Sequence, residues 1–207
     1  MLSLCAAVVI AALTLAVPAS CRAGVPTETV KATTDKVISV LQDPALKPDS
    51  KEKERRAQIK KVVATAFDFE EMAKRSLAVF WKDRTPAEKK EFVVLFTDLL
   101  ERSYINRIDG YSGEKIVYDS EKVDDGYASV KTHFLTKRRE EIPVEYKLLD
   151  DGGKWMVYDV VIENVGLVNN YRIKFNQIIR NSSYADLVKR MKNKSECDTL
   201  VCPTPEK

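Results

Sequence analysis

The run Trp155-Met156-Val157-Tyr158-Asp159-Val160-Val161-Ile162 decides the fold. Its β-branched and aromatic residues are typical of a β-strand, and apolar residues occupy both faces. A strand that is apolar on both faces needs cover on both sides, and such a strand is normally central in its sheet. The sequence therefore predicts a sheet that packs against helices on one face and against other apolar material on the other.

Three more strand-like segments precede this run, at about 115–123, 127–136 and 141–149. The turn sequences Asp124-Asp125-Gly126 and Asp150-Asp151-Gly152-Gly153 separate them and favour tight hairpins. In the third segment Ile142, Val144, Tyr146 and Leu148 alternate with Pro143, Glu145 and Lys147, so one face is apolar and the other polar. Together the four segments predict an antiparallel sheet.

Helical periodicity dominates the first half of the chain and its end. Apolar residues recur at helical spacing in 27–41 and 50–66, a short helix follows Asp68, and two helices at about 168–180 and 184–192 close the domain. Thr85-Pro86-Ala87-Glu88 is a capping box with proline in the first turn, and it opens the longest helix. That helix carries a wide apolar stripe: Phe92, Leu95, Phe96, Leu99, Leu100 and Tyr104. The fold class is thus α+β, with a helical half at about 26–110 and a curved antiparallel sheet with closing helices at about 114–194.

The N-terminus predicts export. No charged residue precedes Arg22, and the apolar stretch before it ends in small residues, as secretory signals do. Cleavage after Ala19 or Ala23 fits, so we expect a signal peptide at 1–23, a mature domain at 24–194 and a tail at 195–207. The sequence before Cys21 also resembles a lipoprotein cleavage box, although Pro18 stands where leucine is usual, and anchoring at Cys21 stays open as the alternative.

Charge and cysteine content narrow the class of protein. The chain has 34 Lys and Arg against 31 Asp and Glu, a net charge of +3, which argues against a strongly basic nucleic-acid binder and against a polybasic membrane patch. Cys197 and Cys202 lie close together in the tail, either as a structural disulfide or as two free thiols.

Signatures of catalysis are missing from the sequence. It contains no Gly-x-Ser-x-Gly elbow, no glycine-rich phosphate loop, no dinucleotide fingerprint and no His-Glu-x-x-His. The single histidine, His133, lies in a strand with no readable partner, and a metal site would need more ligands. We therefore predict no catalytic residue, no metal and no cofactor, with a hydrolase or isomerase on the same fold and a purely structural adaptor as rival classes.

Two runs carry a resemblance to a known family. The first is Asp68-Phe69-Glu70-Glu71-Met72-Ala73 with Leu77-Ala78-Val79-Phe80-Trp81, followed by the helix from Thr85 to Tyr104. The second is Trp155-Met156-Val157-Tyr158-Asp159-Val160 with Glu163-Asn164-Val165-Gly166-Leu167-Val168-Asn169-Asn170-Tyr171-Arg172. Both resemble the MlaC family, the periplasmic lipid-binding proteins also described as toluene-tolerance auxiliary components of an ABC transporter. The resemblance covers about 25–192, and Ala78, Asn164 and Gly166 depart from the family pattern.

The resemblance implies a nuclear-transport-factor-like sheet whose helical subdomain encloses an apolar pocket for phospholipid acyl chains. It implies a periplasmic carrier that shuttles lipid between an inner-membrane ABC transporter with a lipid-binding ring protein and an outer-membrane lipoprotein complex. A hopanoid-type cargo and an adaptor without cargo are the alternatives. The residues that we expect in the pocket are Trp81, Phe92, Phe96, Leu99, Tyr104, Tyr146, Trp155, Val157, Val160, Val165, Leu167 and Tyr171.

Overall fold

The computed structural model describes residues 25–193. The predicted signal peptide, the lipoprotein-like box at Cys21 and the tail with Cys197 and Cys202 lie outside the described residues. Within residues 25–193, no helix combines the length and the apolar character needed to cross a membrane.

Helices come first, then the sheet, then two closing helices, as the sequence predicts. The α-helices are α1 (Val25–Gln42), α2 (Glu52–Ala64), α3 (Phe69–Leu77), α4 (Pro86–Asp109), α5 (Leu167–Asn181) and α6 (Tyr184–Lys192). Short 3-10 turns at Asp49–Lys51 and Ala78–Trp81 precede α2 and follow α3. The strands are β1 (Lys115–Asp124), β2 (Tyr127–Leu135), β3 (Glu141–Asp151), β4 (Lys154–Ile162) and β5 (Val165–Gly166).

The strands form one antiparallel sheet in the order β1-β2-β3-β4-β5. Each strand pairs with the next along the chain, which the two hairpin turns require. Two irregularities interrupt the pairing, one in β1 at Asp119 and one in β4 at Tyr158. A bulge adds one residue to a strand and bends it, so both strands are bent at these positions. The α+β prediction with a curved antiparallel sheet is confirmed.

Local signals set the helix starts. The hydroxyl of Thr85 accepts a hydrogen bond from the backbone N–H of Glu88, and the Glu88 carboxylate accepts one from the backbone N–H of Thr85. The Asp68 carboxylate accepts a hydrogen bond from the N–H of Glu71 at the start of α3. Each cap satisfies backbone donors that the first helical turn leaves unpaired, which is why the sequence located both starts.

The position of β4 differs from the expectation of a central strand. Only the two-residue β5 lies beyond it, and that short strand was not predicted. The rest of its outer edge is covered by the segment before α3, since the N–H of Val157 donates to the carbonyl of Ala66 and the N–H of Asp68 donates to the carbonyl of Val157. This pairing protects the outer edge of β4 from solvent. A strand that is apolar on both faces can therefore lie next to the edge of the sheet.

Two apolar cores flank β4. Helices α3, α4, α5 and α6 pack around a group of fully buried rings, with Phe96 and Phe92 against Phe175 and Tyr171. The second core lies on the inner face of the sheet, where Val130, Leu148 and Val157 are buried beneath α1.

Candidate functional site

A cavity of about 570 Å³ lies between the inner face of the sheet and helices α1, α2 and α4. This volume falls within the range of roughly 300–1,000 Å³ typical of sites that hold small molecules. Apolar side chains make up most of its wall: Val30, Val37, Ile38, Leu41, Ile59, Val63, Phe67, Phe69, Met72, Leu100, Ile105, Ile108, Ile116, Phe134, Ile142, Val144, Val157, Val160, Ile162 and Leu167.

The bulge in β4 shapes the sheet side of the cavity. Lys147 pairs with Asp159 and Leu148 pairs with Val157, which leaves Tyr158 without a partner in the register. Residues that alternate strictly would place Val157 and Val160 on opposite faces. Because the bulge inserts one residue between them, both valines line the cavity, while Tyr158 packs with the helical core.

Helix α1 forms the opposite wall. Its cavity-facing positions recur at helical spacing, from Val30 through Thr33, Thr34, Val37 and Ile38 to Leu41. The hydroxyls of Thr33 and Thr34 donate to the carbonyls one turn back, of Thr29 and Val30, at 2.8 Å each. These bonds satisfy both hydroxyls inside the helix, so the wall stays close to apolar in character.

One end of the cavity is closed by packing. At the end of the sheet where β2 begins and β4 begins, Ala128, Leu148 and Trp155 are buried against Val30. The first turn of α1 is fixed there, because the backbone N–H and the hydroxyl of Thr27 both donate to the Glu121 carboxylate, at 2.8 and 2.6 Å.

The opposite end of the cavity is polar. There β2 ends and β3 begins, and the lining residues are Arg107, Glu114, Thr136 and Glu163; we call this end the mouth. The Glu114 carboxylate accepts hydrogen bonds from the N–H and the hydroxyl of Ser112, which lower the pKa of Glu114. An apolar cavity with a charged mouth suits a molecule that is apolar at one end and polar at the other.

Ion pairs join α2 to α4 along one side of the cavity. Arg55 and Arg56 both donate to the carboxylate of Asp109, at 3.1 and 2.8 Å. Nearer the middle of both helices, the ammonium of Lys60 lies 2.6 Å from a carboxylate oxygen of Glu101. These contacts hold α2 beside α4, and both helices contribute apolar residues to the cavity wall, Ile59 and Val63 from α2 and Leu100 and Ile105 from α4.

Tyr146, a partly buried residue of the cavity wall, has a strongly raised pKa. Burial raises the pKa of the Tyr146 hydroxyl far above its usual value, with a smaller contribution from the neighbouring Tyr118. Tyr146 therefore stays neutral and acts as a hydrogen-bonding group rather than as a base, with the Thr34 hydroxyl as its partner.

Five of the twelve residues expected in the pocket line the cavity: Tyr104, Tyr146, Val157, Val160 and Leu167. That they bind lipid stays a prediction. Of the other seven, Phe92, Phe96, Leu99 and Tyr171 are buried in the helical core, where periodicity could not separate one apolar face from another. Trp81 packs at the edge of that core beneath Lys89, Trp155 is buried at the closed end, and Val165 is exposed in β5.

The lining contributed by α1, α2 and the end of α4 was not predicted from the sequence. The signal was present, since the apolar residues at helical spacing include Val30, Val37, Ile38 and Leu41 in 27–41, and Ile59 and Val63 in 50–66. Periodicity shows that a face is apolar, but not whether a protein side chain or a cavity lies opposite it.

His133, the single histidine of the sequence, lies in β2 outside the cavity. His133 has a partner that the sequence did not reveal: its Nδ1 lies 2.9 Å from the carboxylate of Asp119, which the bulge in β1 brings opposite β2. Neither residue lines the cavity. Among the described residues, no group of three or more His, Cys, Asp or Glu side chains is placed to hold a metal ion.

The sheet, its helical cover and the cavity between them define an α+β protein of the class that encloses an apolar internal site. A comparison with protein families gives the particular family. The chain belongs to the MlaC family, because the family profile described as MlaC protein matches residues 31–193.

Two individual relatives share about a quarter of their residues with this chain over the aligned parts. The chain is 26% identical to the toluene tolerance protein ttg2D of Pseudomonas putida over 56% of this chain and 55% of that protein. It is 23% identical to the intermembrane phospholipid transport system binding protein MlaC of Haemophilus influenzae over 45% of this chain and 46% of that protein. The chain thus spans about half the length of these curated relatives.

A solved structure shares the fold over a larger part of the chain. It is a phospholipid-binding protein from Ralstonia solanacearum in complex with a phospholipid, with a TM-score of 0.74 and 21% identity. The superposition covers 84% of this chain and 97% of that protein.

Proposed function

We propose that this protein binds phospholipid, holding the acyl chains in the cavity between the sheet and α1, and carries it between membrane complexes. The observation that carries the proposal is the cavity itself, apolar along its walls, closed at Trp155 and charged at the mouth. Each CH₂ group transferred from water into such a site contributes about 0.8 kcal/mol, so acyl chains bind tightly without any charged contact.

The relatives support the same function. One is named for intermembrane phospholipid transport, and the Ralstonia protein was solved with a phospholipid bound. We extend this to a periplasmic location and to the partners expected from the family, an inner-membrane ABC transporter with a lipid-binding ring protein and an outer-membrane lipoprotein complex. On this proposal the protein is a carrier and not an enzyme, because transfer of the cargo is its output.

Native mass spectrometry of the protein purified from the periplasm, with extraction of the bound molecule, tests the proposal. We expect phospholipid at one or more molecules per chain, and a hopanoid in its place would establish the other cargo. A protein that keeps its bare mass after incubation with phospholipid vesicles would be an adaptor instead.

A matched pair of variants connects the bound lipid to the cavity. Thr33→Trp places a large side chain in the space that α1 encloses, and we expect it to reduce lipid occupancy at least tenfold. Thr29 lies one turn earlier, makes the same type of hydrogen bond to the carbonyl four residues back, and does not line the cavity. Thr29→Trp should therefore load like the wild type; equal loading of both variants would place the lipid elsewhere.

A further inference from the structure

The mouth carries a cation and an anion that have no oppositely charged partner among residues 25–193. Arg107 and Glu163 both line the cavity, and both side chains are exposed to solvent. Within residues 25–193, no acidic side chain lies within ion-pair distance of Arg107, whose guanidinium carbon lies 5.9 Å from the centroid of the Tyr104 ring. The Glu163 carboxylate likewise has no basic partner among the described residues, and the backbone N–H of Glu163 donates to the carbonyl of Pro143 at 3.0 Å.

Other charges around the mouth are paired or lie outside the cavity lining, and Lys137 lies near enough to Glu114 to lower the pKa of that carboxylate. The Glu114 carboxylate is held by Ser112, and Asp109 is held by Arg55 and Arg56. The turn after β2 brings three consecutive cations and one anion, Lys137-Arg138-Arg139-Glu140, but none of the four lines the cavity. Of the charged side chains described as lining the mouth, those of Arg107 and Glu163 are therefore the two without an ion-pair or hydrogen-bond partner.

We propose that Arg107 and Glu163 form a headgroup site for a zwitterionic phospholipid, with the guanidinium on the phosphate and the carboxylate on the ammonium group. This rests on the proposed function, because the acyl chains of the same lipid occupy the cavity. Arginine matches phosphate in geometry as well as in charge, since its planar fork donates two parallel hydrogen bonds. The Glu163 carboxylate accepts hydrogen bonds from an ammonium group. An anionic headgroup has no ammonium group, so it cannot make this contact.

Placement of the two residues on separate elements fits a bound headgroup between them. Arg107 lies in the last turn of α4, and Glu163 follows the end of β4, with a backbone φ of 49°. A left-handed conformation is costly for a residue other than glycine and directs the chain sharply at this point. Since the two side chains do not reach each other, each keeps its hydrogen-bonding capacity for a ligand.

The test is competitive loading of the full mature protein, stripped of lipid, from vesicles. The vesicles contain phosphatidylethanolamine, phosphatidylglycerol and diacylglycerol in equal amounts with identical acyl chains, and native mass spectrometry reads the bound lipids. We expect the wild type to prefer phosphatidylethanolamine over phosphatidylglycerol by about fivefold, which corresponds to ~1 kcal/mol for one exposed charge pair.

Substitutions at Glu163 and Arg107 separate the roles of the two residues in headgroup binding. Glu163→Gln should remove the preference between the two phospholipids while total occupancy is kept. Arg107→Gln should lower both phospholipids relative to diacylglycerol by a similar factor, and Arg107→Lys should restore part of the loss. The control variants Glu140→Gln and Arg138→Gln change the same charges beside the cavity, and both should load like the wild type.

The outcomes distinguish this proposal from the proposed function. A wild type that takes up no lipid, diacylglycerol included, contradicts the carrier function itself. Uptake of all three lipids in equal ratio, or a preference for phosphatidylglycerol that Arg138→Gln removes, would overturn the headgroup site and leave the carrier intact. A preference for phosphatidylglycerol that Arg138→Gln removes would mean that the basic turn after β2, and not Arg107 and Glu163, binds the headgroup.

Discussion

The carboxylate of Asp159 in β4 accepts a hydrogen bond from the backbone N–H of Val168 in the first turn of α5, at 3.0 Å. The bulge at Tyr158 turns Asp159 away from the cavity and toward this helix. Gly166 lies against the same carboxylate, and a Cβ atom there would come within 3.2 Å of Asp159 Oδ2. One irregularity in β4 thus places Val160 in the cavity wall and also fixes the helix that brings Leu167 to it.

Asp159 should make stability depend on pH. Burial raises its pKa above 3.8, and the hydrogen bond from Val168 offsets only part of that rise. The folded protein therefore holds this proton more tightly than the unfolded chain does, so the contribution of Asp159 to the free energy of unfolding falls as pH rises above about 3.8.

Urea unfolding of the wild type and Asp159→Asn across pH 3 to 7 isolates this effect, because the other titrating groups are common to both proteins. We expect Asp159→Asn to become more stable relative to the wild type as pH rises. A difference that does not change with pH would mean that Asp159 has the same pKa folded and unfolded. Asp159→Ala, which leaves the Val168 N–H without an acceptor, should cost about 1–2 kcal/mol at pH 3, and this cost should become smaller as pH rises.

Ala78 should be more stable as glycine. It ends α3 with φ 51° and ψ −119°, a conformation that the β-carbon of alanine disfavours. Strain of this kind costs about 1–3 kcal/mol, so Ala78→Gly should raise the free energy of unfolding by about 1 kcal/mol after the entropic cost of glycine. Ala87, exposed in the first turn of α4, is the control, and Ala87→Gly should lower stability by up to about 1 kcal/mol. Both changes are read from urea unfolding; a loss of stability in Ala78→Gly would show that the turn tolerates alanine.

The pair of arginines on Asp109 should be the strongest link between α2 and α4. The Asp109 side chain is 12% exposed and that of Arg55 is 14% exposed, so removing the carboxylate leaves guanidinium groups poorly solvated. Asp109→Ala should cost about 2–4 kcal/mol, and the amides of α2 should exchange hydrogen faster than those of α5.

Asp98 on the same helix provides the comparison. It lies 3.6 Å from Lys60, and both side chains are about half exposed. Solvent screens such a pair, so Asp98→Ala should change stability by less than about 0.5 kcal/mol and leave α2 exchange unaltered. Equal effects of the two substitutions would show that burial of the Asp109 cluster does not matter.

The elements that the sequence predicted are those that local chemistry specifies. The capping box at Thr85 and Glu88, the cap at Asp68 and the hairpin turn at Asp124-Asp125-Gly126 each satisfy nearby backbone groups, so a few neighbouring residues suffice to locate them. The fold class followed from these elements and from the order of helices and strands.

The site was less accessible to sequence reasoning, for two physical reasons. The bulge at Tyr158 changes which residues of β4 share a face, and no turn residue marks it. Phe92, Phe96, Leu100 and Tyr104 lie on the same wide stripe and all contact the helical core, yet Leu100 and Tyr104 also line the cavity and the two phenylalanines do not. A helix that contacts both layers has two apolar faces, and their partners are set by tertiary packing.

A substitution at Phe96 therefore tests whether this residue belongs to the helical core or to the lipid cavity. Its ring lies 5.3 Å from that of Tyr171 and 5.9 Å from that of Phe175, between centroids, and the side chain is fully buried. Phe96→Leu should lower the free energy of unfolding by about 1–3 kcal/mol, because it removes packed volume and two edge-on ring contacts. Lipid occupancy should not change, the reverse of Thr33→Trp. Both quantities are measured on one preparation, by urea unfolding and by native mass spectrometry. A Phe96→Leu protein that is as stable as the wild type but loses its lipid would return this residue to the pocket, where its sequence pattern first placed it.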